Sequence, residues 1–153
     1  MNLATVLAGV RRLFLDTAPI IYHVEGVSAY QPVMDAIFQA INEGMVEAVT
    51  SSVTLAECLV HPYRHGDQRL VERFRDVITA GTHTSYVGVD EVAERAAELR
   101  ARYNLSLTDA FQVAAALAAN CEAFLTNDIA LKRVVEVRVL VLDELLKSSS
   151  PSR

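Results

Sequence analysis

Residues 105–128 read LSLTDAFQVAAALAANCEAFLTND, and this stretch decides the fold class. Ser106 followed three residues later by Asp109 has the form of a capping box, in which the serine oxygen takes an orphan first-turn amide and the carboxylate reaches back. Leu107, Ala110, Ala114, Leu117 and Cys121 then recur at helical spacing, and the alanines between them are small enough to let the helix approach a sheet closely. After Asn120 the short apolar run Ala123, Phe124, Leu125, Thr126 has the form of an interior parallel strand, and it stops at Asn127 and Asp128. A helix antiparallel to its strand begins at the edge where that strand ends. Asp109 and Asp128 are therefore expected on one rim, the rim at which open α/β sheets bind ligands.

Working outward, the same alternation repeats. Leu13, Phe14 and Leu15 form a compact apolar run ending at Asp16, and Thr17-Ala18-Pro19 offers a cap and a proline suited to a first helical turn. A second helix is expected over 32–43, with Val33, Ile37 and Ile41 on one face and Gly44 at its end. A short strand over 46–49 leads to Ser51-Ser52 and a helix that carries Glu57 near its start and is closed by Pro62. The next helix, 67–80, turns Leu70, Phe74, Val77 and Ile78 inward and Arg69, Arg73 and Asp76 outward. A strand over 86–89, a helix capped by Asp90 and reaching Tyr103, and a last strand over 137–142 complete the series. Strands alternating with helices imply a parallel sheet covered on both faces through right-handed crossovers. One α/β domain is expected over 12–147, with 1–11 a short helix or loose arm and 148–153 a disordered tail without apolar content.

With 153 residues, 52% hydrophobic and 22% charged, the chain can bury a full core. Its net charge of −5 argues against holding nucleic acid by bulk electrostatics, so any polyanion needs local help. Cys58 and Cys121 fall among apolar neighbours and are expected to be buried free thiols of a reducing, cytoplasmic setting. The apolar stretch 3–10 is too short to span a bilayer, and Arg11 and Arg12 follow it, so no membrane association is expected.

Each acid at a strand or helix end has a purely structural reading. Asp109 can serve its capping box, Glu57 can form another with Thr54, although Ser51 or Ser52 is an equally good cap, and Asp16 or Asp128 can cap the helix that follows. Together they read differently: four carboxylates converge on one sheet edge, where their repulsion is costly unless a cation offsets it. His23, His61, His65 and His83 are scattered, with no zinc-like spacing to the cysteines. Hard oxygen ligands select Mg²⁺ or Mn²⁺, a donor set suited to phosphodiester hydrolysis. Cations on the rim would also attract a phosphate backbone, with Arg64, Arg69, Arg73, Lys132 or Arg133 available at the flanks.

The stretches LFLDTAPIIY, SSVTLAE, LSLTDAFQVAAAL and FLTND resemble the PIN-domain nucleases, particularly the VapC toxin halves of VapBC toxin-antitoxin pairs, over most of residues 12–142. The resemblance implies a three-layer fold with a central, mostly parallel sheet flanked by helices. It implies a metal pocket of Asp16, Glu57, Asp109 and Asp128, with Asp16 and Asp109 foremost as direct ligands and Thr126 and Asn127 supporting them from the T-N-D turn. It further implies an Mg²⁺- or Mn²⁺-dependent endoribonuclease acting on RNA, a homodimer, held inactive by a small antitoxin that inserts into the groove. One departure is Ala18, where many members carry asparagine two residues after the first aspartate. The same residue argues against a phosphoaspartyl hydrolase of the haloacid dehalogenase type, which needs a second aspartate there. A receiver domain needs neighbouring acids ahead of Asp16, where this chain has Arg11 and Arg12. The remaining rival is a PIN-like module that binds RNA or a protein without cutting.

Overall fold

A computed structural model describes residues 2–149, with the side chain of Ser149 excepted. The elements in chain order are α1 (Leu3–Val6), β1 (Arg12–Leu15), α2 (Thr17–Glu25), α3 (Gln31–Asn42), β2 (Glu47–Ser51), α4 (Ser52–Arg64), α5 (Gln68–Ala80), β3 (Thr84–Val87), α6 (Ala93–Tyr103), α7 (Leu107–Ala118), β4 (Ala123–Thr126), β5 (Arg138–Val141) and α8 (Leu142–Ser149). The five strands form one sheet in the order β3-β2-β1-β4-β5, and every neighbouring pair is parallel.

β1 and β4 are central and apolar on both sides, as strands covered from both faces must be. Leu13, Leu15, Ala123 and Leu125 pack with α1, α2, α3, α5 and α8, whereas Phe14 and Phe124 pack with α6 and α7. The second layer is lined by Ala110, Ala114, Ala115 and Ala116 of α7, all buried, so the helix axis can lie close to the sheet. Phe14 and Phe124 stack across the two strands with ring centroids 5.0 Å apart, and neither exposes any surface. Cys58 and Cys121 are buried free thiols.

Four local expectations change. Pro62 lies inside α4 rather than ending it: its missing amide costs one bond in the last turn, and closure comes at Gly66, whose φ of +64° suits a residue without Cβ. β3 lies two residues before the expected strand, because Thr84 to Val87 align with Ala48 to Ser51 and an edge strand tolerates the polar Thr84 and Ser85. Asp90 opens a 3₁₀ turn and α6 starts at Ala93 with no side-chain cap. α8 has no counterpart in the sequence reading; it continues through Ser149, into the stretch assigned to a disordered tail, and residues 150–153 lie outside the described residues. Of the two alternatives for residues 1–11, the short helix is present: Asn2 caps α1 by accepting the Ala4 amide at 2.9 Å, and Val6 and Val10 are buried in the core. Among the described residues no helix is long and apolar enough to cross a membrane.

The aromatic pair at the sheet centre makes a direct prediction. Phe124→Ala should cost roughly 3–5 kcal/mol in urea unfolding, with Phe124→Leu losing less. A loss below about 1 kcal/mol for the alanine variant would mean that the layer between β4 and α7 repacks freely and is not set by this pair.

Candidate functional site

The parallel register carries the acids to one edge. β1 pairs with β4 at Leu15↔Leu125 and with β2 at Phe14↔Val49, and continuing both registers sets Asp16 level with Thr126 on one side and Ser51 on the other. The Asp16 amide still joins the ladder, donating to the Leu125 carbonyl at 3.0 Å. There the chain turns into α2 with Asp16 as its cap. Asp16 Oδ1 accepts the Thr17 amide and Oδ2 accepts the Thr126 hydroxyl, each at 2.8 Å. The residue is only 8% exposed. Burial pushes its carboxyl from the usual 3.8 up to about 6, the two hydrogen bonds work against that rise, and the charges of Asp109 and Glu57 add to it.

Glu57 sits exposed in the second turn of α4, where its Oε1 accepts the Thr17 hydroxyl at 2.8 Å. Of the alternatives for the start of α4, the box between Thr54 and Glu57 does not form. Ser51 is the cap, accepting the amides of Val53 and Thr54, and the Thr54 hydroxyl points inward to the Leu15 carbonyl. Asp109 lies half-buried in the first turn of α7, its amide donating to the capping Ser106 Oγ at 3.2 Å. Burial raises its carboxyl, the Ser106 hydroxyl opposes this, the charge of Asp128 raises it further and Arg133 lowers it. Asp128 is exposed and caps the 3₁₀ segment Ile129–Arg133 through the Ala130 amide at 3.0 Å. Its own amide donates to Thr126 Oγ1 at 3.1 Å, so one threonine holds both aspartates of the β1 and β4 ends. Asn127 turns elsewhere, donating to Tyr22 and Tyr30 hydroxyls at 3.1 Å and accepting the Asp143 amide at 3.0 Å. It ties the T-N-D turn to α2, to Tyr30 and to α8.

All four acids thus lie along the carboxyl edge, linked in sequence by their fields: Asp16 senses Asp109 and Glu57, and Asp109 senses Asp128. Among the described residues none of the four forms an ion pair with lysine or arginine. The basic residues named for the flanks are partly committed. Arg73 donates to the Val24 carbonyl, Lys132 pairs with Glu144 and Arg133 donates to the Asn104 carbonyl, while Arg64 and Arg69 stay exposed. An all-oxygen, uncompensated donor set fits a hard divalent cation. Among the described residues no three acids, histidines or cysteines stand close enough together to hold one as they are placed. Four residues at this edge make contacts that the sequence reading did not assign: Thr17, whose amide braces Asp16 and whose hydroxyl braces Glu57, and the buried trio Ser51, Thr54 and Gln112. Gln112 carried a signal, as the one amide in the run FQVAAAL.

The PIN-domain family profile matches residues 13–137. Among solved structures, a chain of the VapBC2 complex from Rickettsia felis bound to a promoter DNA fragment superposes with a TM-score of 0.69 at 14% identity, covering 85% of this chain and 98% of that one. FitAB bound to an IR36 DNA fragment gives 0.68 at 20% identity, over 85% and 94% of the two chains. VapC20 of Mycobacterium tuberculosis, a toxin that cleaves the sarcin-ricin loop, gives 0.64 at 17% identity, over 82% and 98%. No curated protein matches the chain.

The raised Asp16 carboxyl makes stability depend on pH in a stated direction. Between 3.8 and about 6 the unfolded chain has released this proton while the folded protein keeps it, so the group's contribution is full at low pH and is lost as pH rises through about 6. In EDTA, Asp16→Asn should therefore be more stable than wild type at neutral pH by roughly 1–3 kcal/mol, the gap closing toward pH ~4. A variant that is less stable at neutral pH by the same margin as at low pH would show that hydrogen bonding, not charge burial, dominates at this position.

Proposed function

The chain belongs to the PIN-domain family, and on that premise we propose that it is an Mg²⁺- or Mn²⁺-dependent endoribonuclease that acts in the cytoplasm as the toxin of a toxin-antitoxin pair. The observation that carries this reading is the set of four carboxylates, Asp16, Glu57, Asp109 and Asp128, gathered at the sheet's carboxyl edge without a single opposing ion pair among the described residues. The solved structures with this fold include toxin-antitoxin complexes, which supports a small antitoxin as partner. A homodimer is the assembly proposed with it.

In this reading the four acids hold the cation, and a divalent ion bound there supplies charge stabilisation on the phosphoryl oxygens and activation of water. The protein's own part is orientation. Thr126 and the Thr17 amide fix both oxygens of Asp16, and the Thr17 hydroxyl aims Glu57, so two acids from different elements are braced by neighbours rather than left to rotate. Asp16 holds its proton up to about pH 6 without metal, so cation loading competes with that proton and strengthens as pH rises past it. A bound divalent cation offsets much of the rim's negative charge, and the exposed Arg64 and Arg69 can then take flanking phosphates of an RNA strand that the net charge of −5 would otherwise repel.

A second reading, a PIN-like module that binds RNA or protein without cutting, draws on the absence of a preassembled three-ligand group among the described residues. Cleavage separates the two. The purified protein, freed of any antitoxin, should cut RNA with Mg²⁺ or Mn²⁺ and stop on addition of EDTA, and Asp16→Ala prepared alongside should be inactive. Cutting that survives chelation in wild type but not in Asp16→Ala would reject the metal mechanism, and metal binding without cutting would favour the second reading.

Asp109 offers a further test, because its two roles differ in sign. As a ligand crowded by Asp16 and Asp128, its replacement by asparagine should leave the metal-free protein as stable as wild type or more so. Magnesium should then reverse the order, since wild type gains roughly 2.7 kcal/mol at about 100 times its dissociation constant and the variant much less. A residue serving only the helix start would instead cost roughly 0.3–1 kcal/mol with or without magnesium. Melting curves in EDTA and in excess Mg²⁺ decide between them.

A further inference from the structure

Gln112 stands on α7 one turn after Asp109 and exposes no surface. Its neighbours Ala110, Val113 and Ala114 are apolar and buried as well. A primary amide in such a place is unfavourable unless its polar atoms are partnered. Two hydroxyls from β2 and α4 partner the oxygen and the nitrogen, once each: Ser51 donates to Gln112 Oε1, and Gln112 Nε2 donates to Thr54 Oγ1 at 2.6 Å. Each hydroxyl is committed on its other side. Ser51 Oγ accepts the amides of Val53 and Thr54 at 3.1 and 3.3 Å, and Thr54 Oγ1 donates to the Leu15 carbonyl at 3.4 Å.

These commitments set the direction of every bond. Were the amide turned over, Nε2 would face a serine oxygen already taken by two backbone amides, and Thr54 would have to release Leu15 to reach Oε1. One side chain therefore joins three segments: α7, which carries Asp109; the first turn of α4, which leads to Glu57; and the last residue of β1, which precedes Asp16. Among the described residues, Gln112 is the α7 side chain that hydrogen-bonds across to β2 and α4. The rest of that helix face is apolar contact, which is non-directional and resists sliding poorly. Carboxylates that repel one another press on this same contact.

We propose that Gln112 is a positioning residue whose bridge sets the separation of Asp109 from Asp16 and Glu57, and through it the affinity of the rim for Mg²⁺ or Mn²⁺. The inference rests on reading the rim as a divalent-cation site. It assigns the buried amide a task that neither helix packing nor capping requires. An apolar residue of equal size would fill the same space, provided Ser51 and Thr54 were replaced with it.

The test uses two variants and a control. Gln112→Met keeps the volume and removes the bridge, and Thr54→Val keeps the shape and removes both the acceptor for Gln112 Nε2 and the leg to Leu15. Thr50→Val is the control: its buried hydroxyl donates into α5 at the Ile78 carbonyl, 2.7 Å away, and touches none of the acids. Mn²⁺ binding is followed by the loss of the free-ion electron paramagnetic resonance signal, with melting in EDTA and RNA cleavage recorded alongside. Gln112→Met and Thr54→Val should weaken Mn²⁺ binding about tenfold or more, and cleavage lost at limiting Mn²⁺ should largely return at saturation. Thr50→Val should lower the melting temperature and leave Mn²⁺ affinity as in wild type. Wild-type affinity in both folded variants overturns the inference while leaving the cation site standing, as does an equal loss of affinity in Thr50→Val, which would trace the effect to general destabilisation. Wild type that binds no Mn²⁺ overturns the functional reading and the inference together.

Discussion

A carboxylate with almost no exposed surface and, among the described residues, no ion-pair partner is the constraint on which the sheet's carboxyl edge depends. Asp16 is delivered there by β1, and it remains buried because Leu15 must pair with Leu125 for the two central strands to bring Phe14 and Phe124 into register. Core packing therefore dictates where the charge sits. The protein answers with hydrogen bonds rather than with an opposing charge: the Thr17 amide and the Thr126 hydroxyl satisfy both oxygens, yet the carboxyl still prefers its proton up to about 6. A fold selected for stability alone has a cheaper solution in an apolar residue or a paired arginine.

The rest of the edge repeats this division. Neutral groups there are fully engaged, as with Thr126, which donates to Asp16 and accepts from Asp128, and Ser51, which accepts twice and donates once. The four acids, among the described residues, form no ion pair, and only the more distant field of Arg133 reaches Asp109. Of the basic side chains named for the flanks, Arg73 and Arg133 donate to carbonyls, Lys132 pairs with Glu144, and Arg64 and Arg69 stay exposed. Local satisfaction of dipoles together with local excess of negative charge is the ground on which we propose a divalent cation for this edge.

How much of this could be read from residues alone follows from which forces are local. The alternation of strand and helix was legible because a parallel sheet covered on both faces writes its demand directly into apolar runs such as 13–15 and 123–126. Asp16, Asp109 and Asp128 were placed by the simple rule that they follow a strand or open a helix. Glu57 was placed by the serine pair ahead of its helix, and of the caps open there Ser51 is the one used. Where tertiary context decides, local reading failed. Pro62 sits within α4 because one lost bond in a final turn is small beside the burial of that ring. β3 begins at polar residues because an edge strand needs backbone pairing more than apolar side chains. α8 was hidden because Leu142, where the strand hands over to the helix, suits either element.

The buried trio of Ser51, Thr54 and Gln112 shows why site architecture is harder to read than fold. Serine and threonine at the start of α4 look like ordinary caps, and both of them do lie at its first turn. What distinguishes them is a partner about sixty residues away in sequence, brought close only when α7 packs against the sheet through its alanines. Small side chains on α7 permit the approach, and the single glutamine among them turns an approach that apolar contact would leave adjustable into a fixed distance. Closeness and fixity thus come from different residues of one helix face, and a precise arrangement of repelling acids needs both.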